Sequence, residues 1–236
     1  MSAYGALSRP TRASPLRLPT TAWPHPRDPT TTVTLFHFNP SAMVDANADT
    51  GLFDHLHVIF ADEVEKGLTY PQEDMRDPNA FKAYFFAADV VIAIVGLPGE
   101  LEIDLEHARA WDECVVGFYY VKPNYPGRSS HICNAGFVVP PSHRGNGYGH
   151  VLARSFLYYA PRLGYEASVF NLVYVNNVAS VRLWEQLGFV KAGLIPRAGR
   201  LRRTDGPGEE YVDAWVFYKR FDDGRVRGQG VISEQV

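Results

Sequence analysis

The chain is poor in several features that would narrow its chemistry at once. Only two of its 236 residues are cysteine, Cys114 and Cys133, each beside apolar residues that read as strand. Two such thiols read as buried and reduced, which excludes a disulfide framework and leaves no cysteine cluster for a metal. A cationic excess is missing as well, since 23 Lys and Arg face 26 Asp and Glu for a formal charge of -3. That balance gives no general attraction to nucleic acid, and Arg200, Arg202 and Arg203, the nearest approach to a basic cluster, read as a solvated loop. No run approaches the ~18 consecutive apolar residues of a membrane span. A soluble chain is expected, without nucleic acid, membrane or metal among its partners.

Acid is what the first residues lack. None precedes Asp28, whereas Pro10, Pro15, Pro19, Pro24, Pro26 and Pro29 interrupt a stretch of Ser, Thr and Arg. Residues 1–32 therefore read as extended or disordered, because such a segment cannot propagate a helix. Arg9, Arg12, Arg17 and Arg27 give it the charge of a mitochondrial transit peptide, but the prolines oppose the amphipathic helix that targeting needs. A cytoplasmic location is the expectation, mitochondrial targeting the alternative. The segment could also lie along a partner subunit, which leaves a homodimer open.

What is present is one domain over residues 33–221, followed by a polar tail at 222–236. Residues 33–38 read as a first strand, and residues 49–66 as a helix capped by Asp49 or Thr50 and stopped by Gly67. A loop carries Tyr70 and Gln72, which with Glu63 and Glu65 are able to line a substrate cleft, although a solvated face and an ordinary turn account for them too. Asp77 and Pro78 open a short helix. The β-branched run at 89–96, then 113–121 and 131–139, form a meander of strands. The latter two are joined by a turn at residues 122–127. Beyond it lie a helix with Leu152, Phe156, Tyr159 and Leu163 on one face, a strand at 167–175 and a helix begun by Asn176 or Asn177. Strands at 189–195 and 211–221 are separated by a polar loop containing Gly199, Gly206, Pro207 and Gly208. Strands with inserted helices, rather than regular βαβ alternation, indicate a mixed α/β sheet.

The meander delivers its last strand into His143-Arg144-Gly145-Asn146-Gly147-Tyr148-Gly149. Strand, glycine loop and helix in that order build an anion site, because glycines let backbone N–H groups close on a ligand at the positive end of the helix dipole. A pyrophosphate suits it. A dinucleotide fold would place these glycines after the first strand of a βαβ unit, which this loop does not follow.

The segment 144–149 resembles the R/Q-x-x-G-x-G/A signature of the GNAT superfamily of acyl-CoA-dependent N-acetyltransferases. Residues 177–189, NVASVRLWEQLGF, resemble that family's second signature, N-x-x-A/S-x-x-L-Y-E-x-x-G-F. A narrower likeness, to a fungal branch that acetylates small metabolites such as proline-like imino acids and free amino sugars, is carried by GLTYPQ at 67–72, KPNY at 122–125, CNAGF at 133–137, LGY at 163–165 and FNLV at 170–173. The resemblance implies a GNAT fold, a mostly antiparallel sheet splayed where acetyl-CoA enters. It also implies that amides of Arg144, Gly145, Asn146, Gly147, Tyr148 and Gly149 hold the pyrophosphate, and that Val138 and Val139 pair with the pantetheine while Asn177 reaches it. The amine would attack the thioester directly, with a backbone N–H near Phe137 stabilising the oxyanion.

Departures from the pattern bear on mechanism. Trp184 stands where a Tyr commonly protonates the leaving thiolate, and an indole N–H is no acid at neutral pH. No carboxylate occupies residues 131–139. Asn134 and Asn171 take the expected catalytic positions as hydrogen-bonding groups that orient substrate, with Tyr70 as a further substrate contact, although pairing with local backbone explains each amide as well. His131, the one group on that strand that titrates near neutrality, reads as structural. A site without a strong base favours a weakly basic amine and so an amino sugar such as D-glucosamine, ahead of a proline-like imino acid. A protein or peptide acetyltransferase, or a non-catalytic acetyl-CoA-binding module, would share the cofactor loop.

Overall fold

The computed structural model describes residues 18–25, 27–39, 51–96 and 110–221. Its frame is an eight-stranded mixed sheet: β1 (Thr21–Pro24), β2 (Thr32–Phe38), β3 (Asp89–Val95), β4 (Val115–Pro123), β5 (Ile132–Val138), β6 (Ala167–Tyr174), β7 (Val190–Arg202) and β8 (Glu209–Arg220). In space the order is β1-β2-β3-β4-β5-β6-β8-β7, and every neighbouring pair is antiparallel except β5 with β6. Helix α1 (Leu52–Lys66) and α2 (Pro78–Phe85) lie on one face, α3 (Tyr148–Arg162) and α4 (Val178–Gln186) on the other.

Both faces of the central strands are buried, which is why β3 is apolar along its length. Val91 and Ala93 turn toward α3, Val90, Ile92 and Ile94 toward α1 and α2. The same alternation sends Tyr119 and Phe137 to the α3 face and Tyr120 and Val138 to the α1 face. Burying this much surface at ~25 cal/mol per Å² is what holds the helices to the sheet.

Local signals act where the residues place them. Gly67, at φ 64°, ends α1, its N–H bonding the Val64 carbonyl. Asp77 caps α2 by accepting from the Asn79 N–H at 2.9 Å, with Pro78 as first helical residue. The expected caps of α1, Asp49 and Thr50, lie outside the described residues, as does the polar tail at 222–236. The described part of residues 1–32 includes β1, an extended edge strand whose Thr21 pairs with Leu35.

The polar loop expected around Gly199 is shorter than the sequence suggests. β7 runs on to Arg202, so Gly199, Arg200 and Arg202 belong to a strand paired with β8 rather than to a solvated loop. A register shift between Ile195 and Gly199, with Arg197 at φ 52°, lets the ribbon continue past Pro196. Gly199 is required there because any Cβ would enter the ring of Tyr174. Single-strand periodicity hides such a partner on another element.

Candidate active site

The parallel pair at the centre of the sheet is short. β5 and β6 are in register at Ile132 with Ala167 and at Cys133 with Ser168, and beyond those two positions the strands separate. Among the described residues their facing edges have no strand partner from Asn134 onward, and a cavity of about 770 Å³ opens at that gap. It is reached from both faces: Tyr70, Tyr84 and Tyr120 line it on the α1 and α2 side, Tyr148, Ser180 and Trp184 on the α3 and α4 side.

The glycine loop closes one end. Gly145 (φ 78°) and Gly147 (φ 90°) both adopt the left-handed conformation, which costs an L-residue ~1–2 kcal/mol. Gly147 is the N-cap residue of α3, and no side chain caps that helix. The His150 N–H turns back to the Gly147 carbonyl at 2.9 Å, which leaves the amides of Tyr148 and Gly149 at the start of the helix for an anion. The Arg144 guanidinium is engaged elsewhere, donating to the Val139 carbonyl at 3.1 Å and to Glu63 at 2.6 Å. Glu63, nearly buried, also accepts from the Thr69 hydroxyl at 2.7 Å, so α1, the Tyr70 loop and the glycine loop are tied together at one carboxylate. Of the four polar groups expected to be able to line a cleft, Tyr70 and Glu63 do so, while Glu65 and Gln72 are not among the lining residues.

Asn134, Phe137, Val138, Val139, Arg144, Gly145, Gly147, Tyr148, Gly149, Asn171 and Asn177 all line the cavity with Tyr70. Asn146 does not; it is exposed, and its amide donates to the His143 carbonyl at 3.4 Å. Asn171 and Asn124 exchange a reciprocal amide pair at 2.6 and 3.1 Å, which fixes the Asn171 side chain across the start of the gap. Asn134 accepts from the Ala135 N–H at 2.8 Å through its oxygen, and its NH2 meets no acceptor among the described residues. Asn177 caps α4 by accepting from the Ser180 N–H at 3.2 Å. Tyr70, whose burial holds its pKa well above the usual tyrosine value, donates to the Phe137 carbonyl at 3.1 Å. The N–H and C=O of one strand residue point to the same edge, so the Phe137 N–H faces the gap as well.

Sequence reasoning missed the aromatic wall. The hydroxyls of Tyr84 and Tyr120 share a hydrogen bond at 3.1 Å, and Lys122 lies on both rings, its Nζ 4.0 and 4.2 Å from their centroids. Burial lowers the Lys122 pKa to about 8. Tyr120 and Lys122 alternate along β4 opposite Gly136 and Asn134, and that period of two was the available signal. Trp184 packs on Phe137 and Phe170 with centroids 5.1 and 4.4 Å away, and its indole N–H donates to the Ser180 hydroxyl at 3.0 Å.

A model of the acetyltransferase (GNAT) family matches residues 67–189 of this chain. N-acetyltransferase aca1 of Schizosaccharomyces pombe is 46% identical over 164 residues, 67% of this chain and 75% of that protein. This chain belongs to the GNAT family. It is an N-acetyltransferase of the GNAT type, and the splayed β5 and β6 are the GNAT sheet. Protein SPT10 of Saccharomyces cerevisiae is 29% identical over 205 residues, 72% of this chain, which spans 31% of that longer protein. Among solved structures, a GCN5-related N-acetyltransferase from Kribbella flavida is similar with a TM-score of 0.60 at 25% identity, over 79% of this chain and 97% of that one. A GNAT superfamily phosphinothricin acetyltransferase from Sinorhizobium meliloti, solved in complex with AcCoA, shares the fold at a TM-score of 0.57 and 17% identity, over 80% and 92% of the two chains. No helix among the described residues of this GNAT chain is long and apolar enough to cross a membrane.

Proposed function

We propose that this chain transfers the acetyl group of acetyl-CoA to the amine of a small polar metabolite, with an amino sugar such as D-glucosamine as the acceptor. The observation that carries the reading is the gap between β5 and β6 beside an uncapped α3 N-terminus. An unpaired strand edge suits an amide-bearing pantetheine, and free helix amides suit a pyrophosphate. Acetyl-CoA supplies an activated thioester. The amine nitrogen forms a bond to its carbonyl carbon, the C–S bond breaks, and the proton shed by the amine leaves with CoA through water.

The chain's own groups orient and stabilise. Amides of Gly145, Gly147, Tyr148 and Gly149 hold the phosphates, Val139, on the same edge as Phe137, pairs with the pantetheine while Val138 faces β4, and Asn177 reaches it from α4. The Asn134 and Asn171 amides orient the acceptor with Tyr70, and the Phe137 N–H receives the developing negative charge. Neither Asn accepts a proton, so the acceptor enters as the free amine, which a weakly basic amino sugar supplies more readily than an aliphatic amine.

A proline-like imino acid is the second reading, favoured by the Lys122 ammonium on the Tyr84 and Tyr120 rings, a charge that attracts the carboxylate an amino sugar lacks. A panel of glucosamine, azetidine-2-carboxylate, a polyamine and a peptide, assayed for CoA release, separates these. One small-molecule acceptor should dominate. Release with the peptide alone, or none with any amine despite acetyl-CoA binding, overturns the proposal. Asn134→Ala should lose turnover and keep acetyl-CoA affinity.

A further inference from the structure

The glycine loop has a second cationic neighbour, contributed by a part of the chain that precedes the family-matched residues 67–189. The turn between β1 and β2 folds back onto α3. Its His25 ring packs edge-on against Tyr148, the first residue of that helix, with centroids 4.9 Å apart, and His143 meets the same ring at 5.9 Å from the loop side. Two residues along the turn, Arg27 donates through Nη1 to the Gly145 carbonyl and lines the cavity.

The turn is internally organised. The His25 N–H donates to the Thr31 carbonyl at 3.0 Å, and the His25 Nδ1 accepts from the N–H groups of Arg27 and Asp28 at 3.3 and 3.0 Å. The Asp28 carboxylate, the anion nearest Arg27 in sequence, is turned inward onto the hydroxyls of Thr30 and Thr31 and the Thr30 N–H. Those bonds hold its pKa down at about 2, so it stays ionised without closing on Arg27. One of the five guanidinium N–H donors of Arg27 is spent on Gly145, and the remainder meet no hydrogen-bond acceptor among the described residues, beside amides that already favour an anion. Arg144, the other guanidinium at this end, is committed to Glu63 and Val139.

We infer that Arg27 is a phosphate ligand for acetyl-CoA, placed over the glycine loop by the β1–β2 turn. The inference rests on the acetyl-CoA reading above. A planar guanidinium whose position is set by one hydrogen bond to the loop presents its other donors in a fork that matches phosphate oxygens. It extends the phosphate site beyond the loop backbone and gives the edge strand β1 a role in donor binding. The phosphate is either the pyrophosphate or the 3′-phosphate of CoA, and the two are separable by experiment.

The test is calorimetric titration of the full-length wild type, Arg27→Gln and Arg27→Lys with acetyl-CoA and with acetyl-dephospho-CoA, which lacks the 3′-phosphate. Gln keeps a donor for the Gly145 carbonyl and loses the charge. Acetyl-CoA Kd should rise on the order of tenfold in the Gln variant, less in the Lys variant, with a shallower dependence on salt and an unchanged melting temperature. A defect that vanishes with acetyl-dephospho-CoA assigns the 3′-phosphate, and one that persists assigns the pyrophosphate. In steady state the KM for acetyl-CoA should rise at constant kcat. Wild-type affinity in Arg27→Gln, or a loss insensitive to salt, overturns the inference while leaving the activity reading intact. A wild type that binds neither thioester overturns both.

Discussion

Gly147 separates what the backbone of the glycine loop does from what its space does. Ala at this position keeps every side-chain contact and adds one carbon, but it must hold φ at 90° as the residue that begins α3. An L-residue there costs ~1–2 kcal/mol, so either the fold bears that strain or the loop relaxes toward negative φ. At 236 residues the melting temperature should fall by roughly 2–8 °C. Relaxation also rotates the peptide planes whose N–H groups are proposed to face the anion. Losing one charge-assisted hydrogen bond of ~1.5–3 kcal/mol raises Kd for acetyl-CoA by about ten- to a hundredfold. Gly149→Ala is the control. It has no positive φ, an added Cβ would meet nothing within 4 Å, and the family signature allows Ala at this position. Inside a helix that change gains ~0.5–1 kcal/mol. Melting curves and calorimetric titration on the two variants should therefore diverge, with Gly147→Ala weak in both and Gly149→Ala near wild type. Equal acetyl-CoA affinity in Gly147→Ala and wild type would refute the assignment of the anion to these amides.

Two further outcomes follow from the aromatic wall. Burial lowers the Lys122 pKa from 10.5 to about 8, so between those values the unfolded chain binds more protons and stability rises with pH; below about 8 the penalty is fully present. That penalty is roughly 3 kcal/mol before ring-face attraction of ~1–2 kcal/mol offsets it, and urea unfolding at pH 7 should find Lys122→Met about 1–2 kcal/mol more stable than wild type, an advantage that shrinks toward pH 10. A Met variant less stable at pH 7 would mean the cation on the rings outweighs its desolvation. Gly136→Ala puts a Cβ 2.6 Å from Tyr120 Cε1 and 2.8 Å from its hydroxyl. It should cost ~1–3 kcal/mol of stability by overpacking and lower kcat/KM for the acceptor at unchanged acetyl-CoA affinity, as read by melting and initial rates.

The sequence by itself determined what is local. Asp77 with Pro78, Asn177 with Ser180 and Gly67 after Lys66 start or stop helices through bonds spanning two or three residues, and each acts as its position predicts. The glycine loop was legible for the same reason, since strand, left-handed glycines and helix follow one another in the chain. Val138, Val139 and Phe137 came with it, because strand alternation carries a residue's face along from its neighbour. Tertiary structure decided whatever needed two distant segments. The gap exists because β5 and β6 share only two paired positions, and neither strand records where the other leaves it. Glu63 holds Arg144 across 81 residues, Asn124 holds Asn171 across 47, and Arg27 meets Gly145 across 118. Gly199 read as a loop residue because the ring that makes a side chain impossible there lies on β6. Periodicity and capping are properties of a single segment, whereas hydrogen-bond partners and the space available to a Cβ belong to pairs of segments that only the fold brings together.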